Sequence, residues 1–202
     1  MELTAIMEVL KENRDRKFPR EALNQAIAHK DEITPLLLAE FTPAQEKIAE
    51  IDANADYFRH LYALYLLAQF RETQAYPVII DFISVPDEAI MDIMGDLVTE
   101  DLGCILASVC GGDLLPIKQL IETPEVDEYV RGAGFKALLT LVIEGEISRE
   151  SVLEYFETLW PKLQEAKEEE DDFLSHSLLM SILDLYTNES LVGVLRDAYK
   201  AD

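Results

Sequence analysis

The sequence predicts an all-α fold, arranged as an α-solenoid of stacked helix pairs with roughly ten to twelve helices. Three observations lead to this prediction. Apolar residues recur at helical spacing in nearly every segment, clear strand alternation is absent, and one long segment is apolar on two helical faces. Because 49% of the 202 residues are apolar, the chain can bury a core. We expect one all-α domain over residues 1–202, with N-terminal helices in 1–54 and about four helix pairs in 55–202.

The N-terminal portion is expected to form four helices. Leu3, Ile6 and Leu10 share one face of the first, because residues three and four apart are neighbours on a helix. Thr34 is expected to cap the third helix, with Pro35 at its first position, where a missing N–H is tolerated. The predicted ranges are Glu2–Glu12, Phe18–Ile33, Thr34–Phe41 and Thr42–Asp52.

The helix pairs are expected to follow from residue 55 onward. A break or kink is predicted near Gly95, and Pro161 should kink or end the helix that contains it. The run Val78–Ile83 is β-branched and short, so periodicity alone cannot distinguish helix from strand there. The other predicted ranges are Asp56–Glu72, Pro77–Ser84, Asp87–Asp96, Thr99–Cys110, Asp113–Glu122, Ser148–Lys167, Phe173–Tyr186 and Ser190–Lys200.

The segment Asp127–Gly145 is the most informative element of the sequence. Only Gly132, Lys136, Thr140 and Glu144, spaced by four, leave a narrow polar line along it. A helix that is apolar on both remaining faces must be buried on two sides. Its glycines each cost roughly 1 kcal/mol of helix propensity, so we expect a close approach of a neighbouring backbone to offset that cost.

A weak repeat supports the solenoid. The stretches Ala68–Pro77 and Ala107–Pro116 have equal length, lie 39 residues apart and each precede a short apolar helix. A period of roughly 35–45 residues with two helices per unit matches the HEAT and armadillo class. The alternative is an irregular helical bundle.

The N-terminal stretch FPREALNQAIAHKDEITPLLLAEF, from Phe18 to Phe41, looks like the opening of an uncharacterised bacterial family of all-α, HEAT-like proteins with no assigned function. This resemblance extends loosely over the whole chain. It implies a helical fold and brings no catalytic residues. Some members of that family carry a C-terminal SEC-C zinc motif, whereas this sequence has no cysteine after Cys110. We expect either that the module is lacking or that the sequence is a fragment.

The charge of the chain restricts its partners. Lys and Arg number 17 against 40 Asp and Glu, a formal net charge of −23. Binding to nucleic acid or to an anionic membrane surface needs clustered cations, so neither partner is expected. The same charge favours a basic protein partner. The alternative is an acidic surface that only keeps molecules apart.

The location is predicted to be cytoplasmic. Cys104 and Cys110 lie in one apolar segment and are expected to be buried free thiols, which fits a reducing compartment. The N-terminus shows no signal-peptide pattern. The longest fully apolar run, Leu61–Ala68, is far shorter than the roughly 20 residues that span a bilayer.

No motif indicates catalysis, so we expect neither an enzyme nor a cofactor. The histidines lie apart, and phosphate-binding glycine loops, nucleophile elbows and paired-cysteine zinc patterns are absent. Carboxylates are the one plentiful reactive group. Glu88, Asp92 and Asp96 are spaced by four and could hold a divalent cation if a second helix supplied facing oxygens, although we favour a solvated helix face.

Two surfaces are candidates for docking. Glu150, Glu154 and Glu157 form an acidic stripe that would suit a basic or amphipathic segment of a partner. Tyr62 with Leu66 is expected to be an exposed, partner-facing pair, whereas the face that includes Tyr65 is expected to be core.

The function hypothesis is a non-catalytic interaction or scaffold module that binds an unknown protein through an acidic solenoid surface. One alternative is a carboxylate-based metal-binding protein or enzyme. Another is a structural protein that forms a homodimer through an uncapped solenoid end, because Ser190–Lys200 is more apolar than an end cap should be.

Overall fold

A computed structural model describes residues 2–11, 17–86, 89–165 and 171–185. These residues form thirteen α-helices and one 3-10 turn, with no strand among them, which confirms the all-α prediction. The predicted helix Ser190–Lys200 lies outside the described residues. The helices are α1 (Leu3–Lys11), α2 (Arg20–Ala28), α3 (Lys30–Leu38), α4 (Ala44–Asp52), α5 (Arg59–Phe70), α6 (Ala75–Ile83), α7 (Ala89–Met94), α8 (Leu97–Glu100), α9 (Leu102–Val109), α10 (Leu115–Glu122), α11 (Glu128–Ile143), α12 (Arg149–Glu165) and α13 (Asp171–Asp184).

Two breaks between helices lie where the sequence predicted a continuous helix. Helix α3 begins at Lys30, not at Thr34, because the chain turns at His29 with φ −113° and ψ 37°. Thr34 is therefore inside α3, where its hydroxyl donates to the Lys30 carbonyl at 2.8 Å instead of capping the helix. A further break separates α8 from α9 at Asp101, in addition to the predicted break at Gly95, where φ is +53°.

Helices α5, α9, α11 and α13 pack in that order, each against the next. The residues that directly follow the first three of them, Arg71, Cys110 and Glu144, line one cleft of about 410 Å³. Since neighbouring helices of the series end at the same cleft, α5, α9 and α11 run in the same direction.

A second series of helices packs beside the first. Helix α6 contacts α10, and the Tyr76 hydroxyl joins them by donating to the Asp113 carbonyl and accepting from the Ile117 N–H. Helix α12 follows, because Glu122 of α10 binds both the Tyr155 hydroxyl and, at 2.6 Å, the Lys162 ammonium. The β-branched run of α6 is thus helical. It lies between two other helices instead of in a sheet.

Helix α11 is buried on two sides, as its pattern predicts. Asp127 caps it by accepting from the N–H groups of Tyr129 and Val130, and the predicted polar line remains partly exposed. A β-carbon at Gly134 would lie 2.6 Å from Ile121 of α10. On the other side, a β-carbon at Gly103 of α9 would lie 2.8 Å from the Ala133 carbonyl of α11. Both glycines therefore permit close helix packing. The expected approach of a neighbouring backbone occurs at the contact between α9 and α11, whereas the closest neighbour of Gly134 is the Ile121 side chain.

Helix α12 does not end at Pro161 but continues to Glu165. A proline removes the hydrogen bond to the carbonyl four residues earlier, here that of Glu157. Both residues are exposed, so water can solvate that carbonyl.

The prediction that both cysteines are buried is wrong for Cys104, which is exposed in the cleft, whereas Cys110 is buried. The apolar residues of this segment cover more of the α9 surface than the side of α9 that is buried, so an apolar neighbourhood in the sequence did not imply burial of Cys104.

None of the described helices combines the length and apolarity needed to cross a membrane.

Candidate functional site

An apolar groove lies between α2 and α5. Each helix presents one row of side chains at spacings of i, i+3, i+4 and i+7, while α1 and α3 pack against both helices. We call this surface the α2–α5 groove. It has a volume of about 470 Å³ and is lined by Phe18, Arg20, Leu23, Asn24, Ile27, Tyr62, Tyr65, Leu66 and Gln69.

The walls of the α2–α5 groove are unusually exposed for apolar side chains. Phe18 is 66% exposed, Tyr65 45% and Ile27 39%. Isolated exposed apolar residues are common on proteins, but here three of them line the same concavity. No docking role was predicted for Phe18 or Ile27. The sequence carried one signal for Ile27: it is apolar, but it lies outside the face of α2 that Ala22 and Ala26 bury in the core.

The aromatic residues of α5 occupy different positions from those predicted. Tyr62 is half-buried and lines the groove, but its expected exposed partner Leu66 is buried at the groove floor. Tyr65, expected in the core, is exposed on the groove wall. Helix α5 is apolar nearly all round, so periodicity could not rank these side chains. Whether Tyr62 contacts a partner stays a prediction.

The Tyr65 phenol is held in place by the start of α9. Its hydroxyl donates to Asp101 Oδ2 at 2.6 Å. Burial, followed by this hydrogen bond, raises the pKa of Tyr65 to about 12, so the phenol is neutral at physiological pH. The Glu100 carboxylate acts in the same direction. One side of the groove is therefore bordered by carboxylates.

Arg20 provides the positive charge of the groove lining. Its guanidinium lies over the Phe18 ring, 5.6 Å from the centroid. This cation–π contact holds both side chains at the edge of the groove. Asn24 and Gln69 are exposed polar residues on the two opposite walls. The groove thus combines a large apolar surface with few polar groups, which is the usual composition of a binding site.

The predicted acidic stripe is on a different surface. Glu150, Glu154 and Glu157 are all exposed on α12, so their carboxylates are accessible to solvent. None of them lines the α2–α5 groove. The structure therefore does not bring the stripe together with Tyr62, and docking at the stripe stays a prediction.

A buried ionic cluster joins the N-terminal helices. The Glu40 carboxylate accepts from the Tyr57 hydroxyl at 2.5 Å, and its other oxygen lies 2.9 Å from Arg59 Nε. Burial alone would lower the pKa of Arg59. The hydrogen bond and the charge of Glu40 outweigh burial, so the net effect is a raised pKa of Arg59. Burial and the same carboxylate raise the pKa of Tyr57. The pair is charged and enclosed, so it fixes the 3-10 turn Ala39–Phe41 against α5.

His60 is fully buried beside this cluster. Its Nε2 lies 2.8 Å from the Ile93 carbonyl, while Nδ1 is buried and has no hydrogen-bond partner. Burial lowers the pKa of His60, more than the Ile93 carbonyl and the Glu40 charge raise it. The imidazole is therefore neutral, donating from Nε2. Glu40 is 4% exposed and His60 is 0% exposed, so these groups serve packing better than proton transfer with a substrate.

The carboxylate line considered for a metal is only partly described. Asp92 and Asp96 are exposed, and Glu88 lies outside the described residues. Across the described ranges, no three His, Cys, Asp or Glu side chains are grouped closely enough to hold a metal ion.

The described residues thus define an all-α protein that offers an apolar groove on a strongly acidic chain. The chain belongs to the family described as "Protein of unknown function (DUF1186)", which matches residues 1–202 and confirms the resemblance to an uncharacterised family. It is 42% identical over 189 residues to an "Uncharacterized protein" of Chlamydia trachomatis serovar D, covering 94% of this chain and 73% of that protein. A Chlamydia muridarum protein with the same description is also 42% identical over 189 residues, covering 94% of this chain and 74% of its own length. No solved structure matches the chain.

Proposed function

We propose that this protein is a non-catalytic interaction module that binds another protein through the α2–α5 groove. The observation that carries the proposal is the groove itself, in which the apolar side chains of Phe18, Ile27 and Tyr65 are exposed around one concavity. Concave apolar surfaces of this kind usually mark sites of protein association. Tyr62 and Tyr65 suit such a site, because tyrosine combines apolar area with a hydroxyl group.

We further propose that the scaffold is a short HEAT-like solenoid. The order of packing supports this, since α5, α9, α11 and α13 follow one another while α6, α10 and α12 form a second row. In a solenoid each unit contacts only its neighbours, and its extended surfaces serve recognition. A cytoplasmic location is part of the proposal and fits two thiols that form no disulfide.

Site-specific photocrosslinking in cells of the source organism would test the proposal. A benzoylphenylalanine at position 24, on the exposed wall of the groove, should crosslink a discrete protein. A second probe at position 154 tests the acidic stripe, and a third at Gln119 of α10, which is exposed and lies neither on the groove walls nor on α12, measures random collision.

The expected result is one adduct at position 24 that disappears when Ile27→Asp is added. Adducts of equal yield at positions 24 and 119 would contradict specific docking. An adduct at position 154 alone would move the docking site to the acidic stripe. An adduct whose mass is twice that of the chain would identify a second copy as the partner.

A further inference from the structure

We propose that the occupant of the α2–α5 groove is a basic amphipathic α-helix of a partner protein. This inference rests on the proposed function and adds the secondary structure and the charge of the partner.

The shape of the groove favours a helix over an extended peptide. Its two walls each span eight residues of helix, Arg20–Ile27 and Tyr62–Gln69, so the groove runs for about 10 Å, or two helical turns. An extended segment would bring unpaired N–H and C=O groups against apolar walls. The main-chain groups of α2 and α5 are used within those helices, so they cannot pair with such a segment. A helix satisfies its own backbone and exposes apolar side chains at the spacing of the walls.

The size of the exposed side chains supports the same occupant. Phe18 and Tyr65 project from the groove edge, and Leu66 is buried at its floor. An apolar ridge of leucine-sized residues at i, i+3, i+4 and i+7 would contact both aromatic rings and cover Ile27. Ridges of one helix that fit between two others are the ordinary geometry of helix packing.

The surrounding charge favours a basic helix. The chain carries a formal charge of −23, which attracts cationic partners and accelerates their encounter. Next to the groove, Asp101 holds the Tyr65 hydroxyl and Glu100 lies close enough to affect its pKa. Lys136 also lies at this edge, where its ammonium donates to the main-chain carbonyl of Glu100. A lysine or arginine on the flank of the bound helix would pair with Asp101.

Arg20 carries a positive charge at the groove, opposite in sign to the charge of Asp101. It is the cation that lines the groove, and it lies over Phe18 on the wall formed by α2. A basic helix would be repelled by Arg20 and attracted by Asp101. The two residues therefore supply substitutions whose effects on affinity should have opposite directions.

The test uses fluorescence anisotropy with the full chain and three labelled synthetic peptides of equal length. The first carries leucine at i, i+3, i+4 and i+7 with lysine elsewhere on an alanine background. The second has every lysine replaced by glutamate, and the third has the first composition in scrambled order. The first peptide should bind at least about tenfold more tightly than either of the others.

Variants then locate the contact. Phe18→Ser and Ile27→Asp should each weaken binding of the first peptide about tenfold, because each removes apolar contact area with the bound helix. Asp101→Asn should weaken binding severalfold while retaining an acceptor for Tyr65, whereas Arg20→Gln should strengthen it. Circular dichroism of each variant establishes that the fold is retained.

Equal binding of the scrambled peptide, or unchanged binding to Phe18→Ser, would overturn the proposal by showing adsorption driven by charge alone. Equal binding of the glutamate peptide would overturn the basic character of the partner. If no peptide binds while position 24 still crosslinks a protein, the interaction module stands and the helical, basic partner is wrong. If neither experiment yields a partner, both proposals fail.

Discussion

The contact between α9 and α11 and the ionic cluster around Glu40 hold helices together by opposite means. At the first, Gly103 lacks a side chain, so the Ala133 carbonyl of α11 approaches the backbone of α9 directly. At the second, a buried carboxylate is shared by Tyr57 and Arg59 from another part of the chain. The first contact depends on shape and is insensitive to charge. The second depends on an ion pair and a hydrogen bond, so loss of one side chain leaves the buried polar groups of the others unpaired.

The largest expected effect is at the ionic cluster. Glu40→Ala would leave the Arg59 guanidinium, whose side chain is 14% exposed, without its counter-ion. Breaking such a buried pair costs about 3–5 kcal/mol, which urea denaturation would measure. The double variant Glu40→Leu with Arg59→Met should recover most of this loss, because it removes both charges. A loss below about 1 kcal/mol for Glu40→Ala would show that the cluster is weakly coupled.

The glycine contact should respond next. Gly103→Ala places a β-carbon 2.6 Å from the Lys136 β-carbon and 2.8 Å from the Ala133 carbonyl, so the helices must move apart. Overpacking of this kind costs about 1–3 kcal/mol, measurable by thermal melting. Gly132→Ala is the matched control, because its closest neighbour is the Phe173 ring at 3.1 Å and alanine gains about 1 kcal/mol of helix propensity. Equal destabilisation by both variants would contradict the asymmetry.

A smaller change in stability is expected on changing the pH, and it arises at the ionic cluster, beside which His60 is buried. Burial lowers the pKa of His60 in the folded protein, so below about pH 6.5 the unfolded chain binds a proton that the folded chain does not. Stability should therefore be full above that pH and decrease as the pH falls, by at most about 1.4 kcal/mol per pH unit. Urea denaturation at pH 7.5 and 5.5 should show a decrease that His60→Gln reduces. An identical slope in the variant would refute this role of His60.

The smallest effect on stability is expected outside both regions. Phe18 is 66% exposed, so Phe18→Ser should change the free energy of unfolding by no more than about 0.5 kcal/mol. Since the same substitution should weaken docking in the α2–α5 groove about tenfold, stability and binding would separate at this residue. A loss comparable with that of Gly103→Ala would instead make Phe18 part of the core.

The sequence predicted best where one helix carried a clear pattern. The polar line from Gly132 to Glu144 predicted burial of α11 on two sides, because only a helix places residues four apart on one face. The turn at His29 was not predictable, since the local sequence carries no glycine, proline or capping residue there. Helix α12 does not end at Pro161, one of the two outcomes expected there, because a proline can remain in a helix when the freed carbonyl reaches water.

The candidate site was harder to predict than the fold. Tyr65 and Leu66 are consecutive in an almost uniformly apolar helix, so the choice between surface and core depends on where α1, α3 and α9 pack. Glu40 and Arg59 pair across 19 positions of sequence, and each alone resembles an ordinary surface residue. Tyr62 was found by its residue type, whereas the groove around it required the relative positions of two helices.

Mechanically, the contact at Gly103 makes α9 and α11 a rigid unit. Because the space between them admits no β-carbon, neither helix can roll on its axis without colliding with the other. A displacement of one of these helices is therefore transmitted to the other instead of being absorbed at their contact.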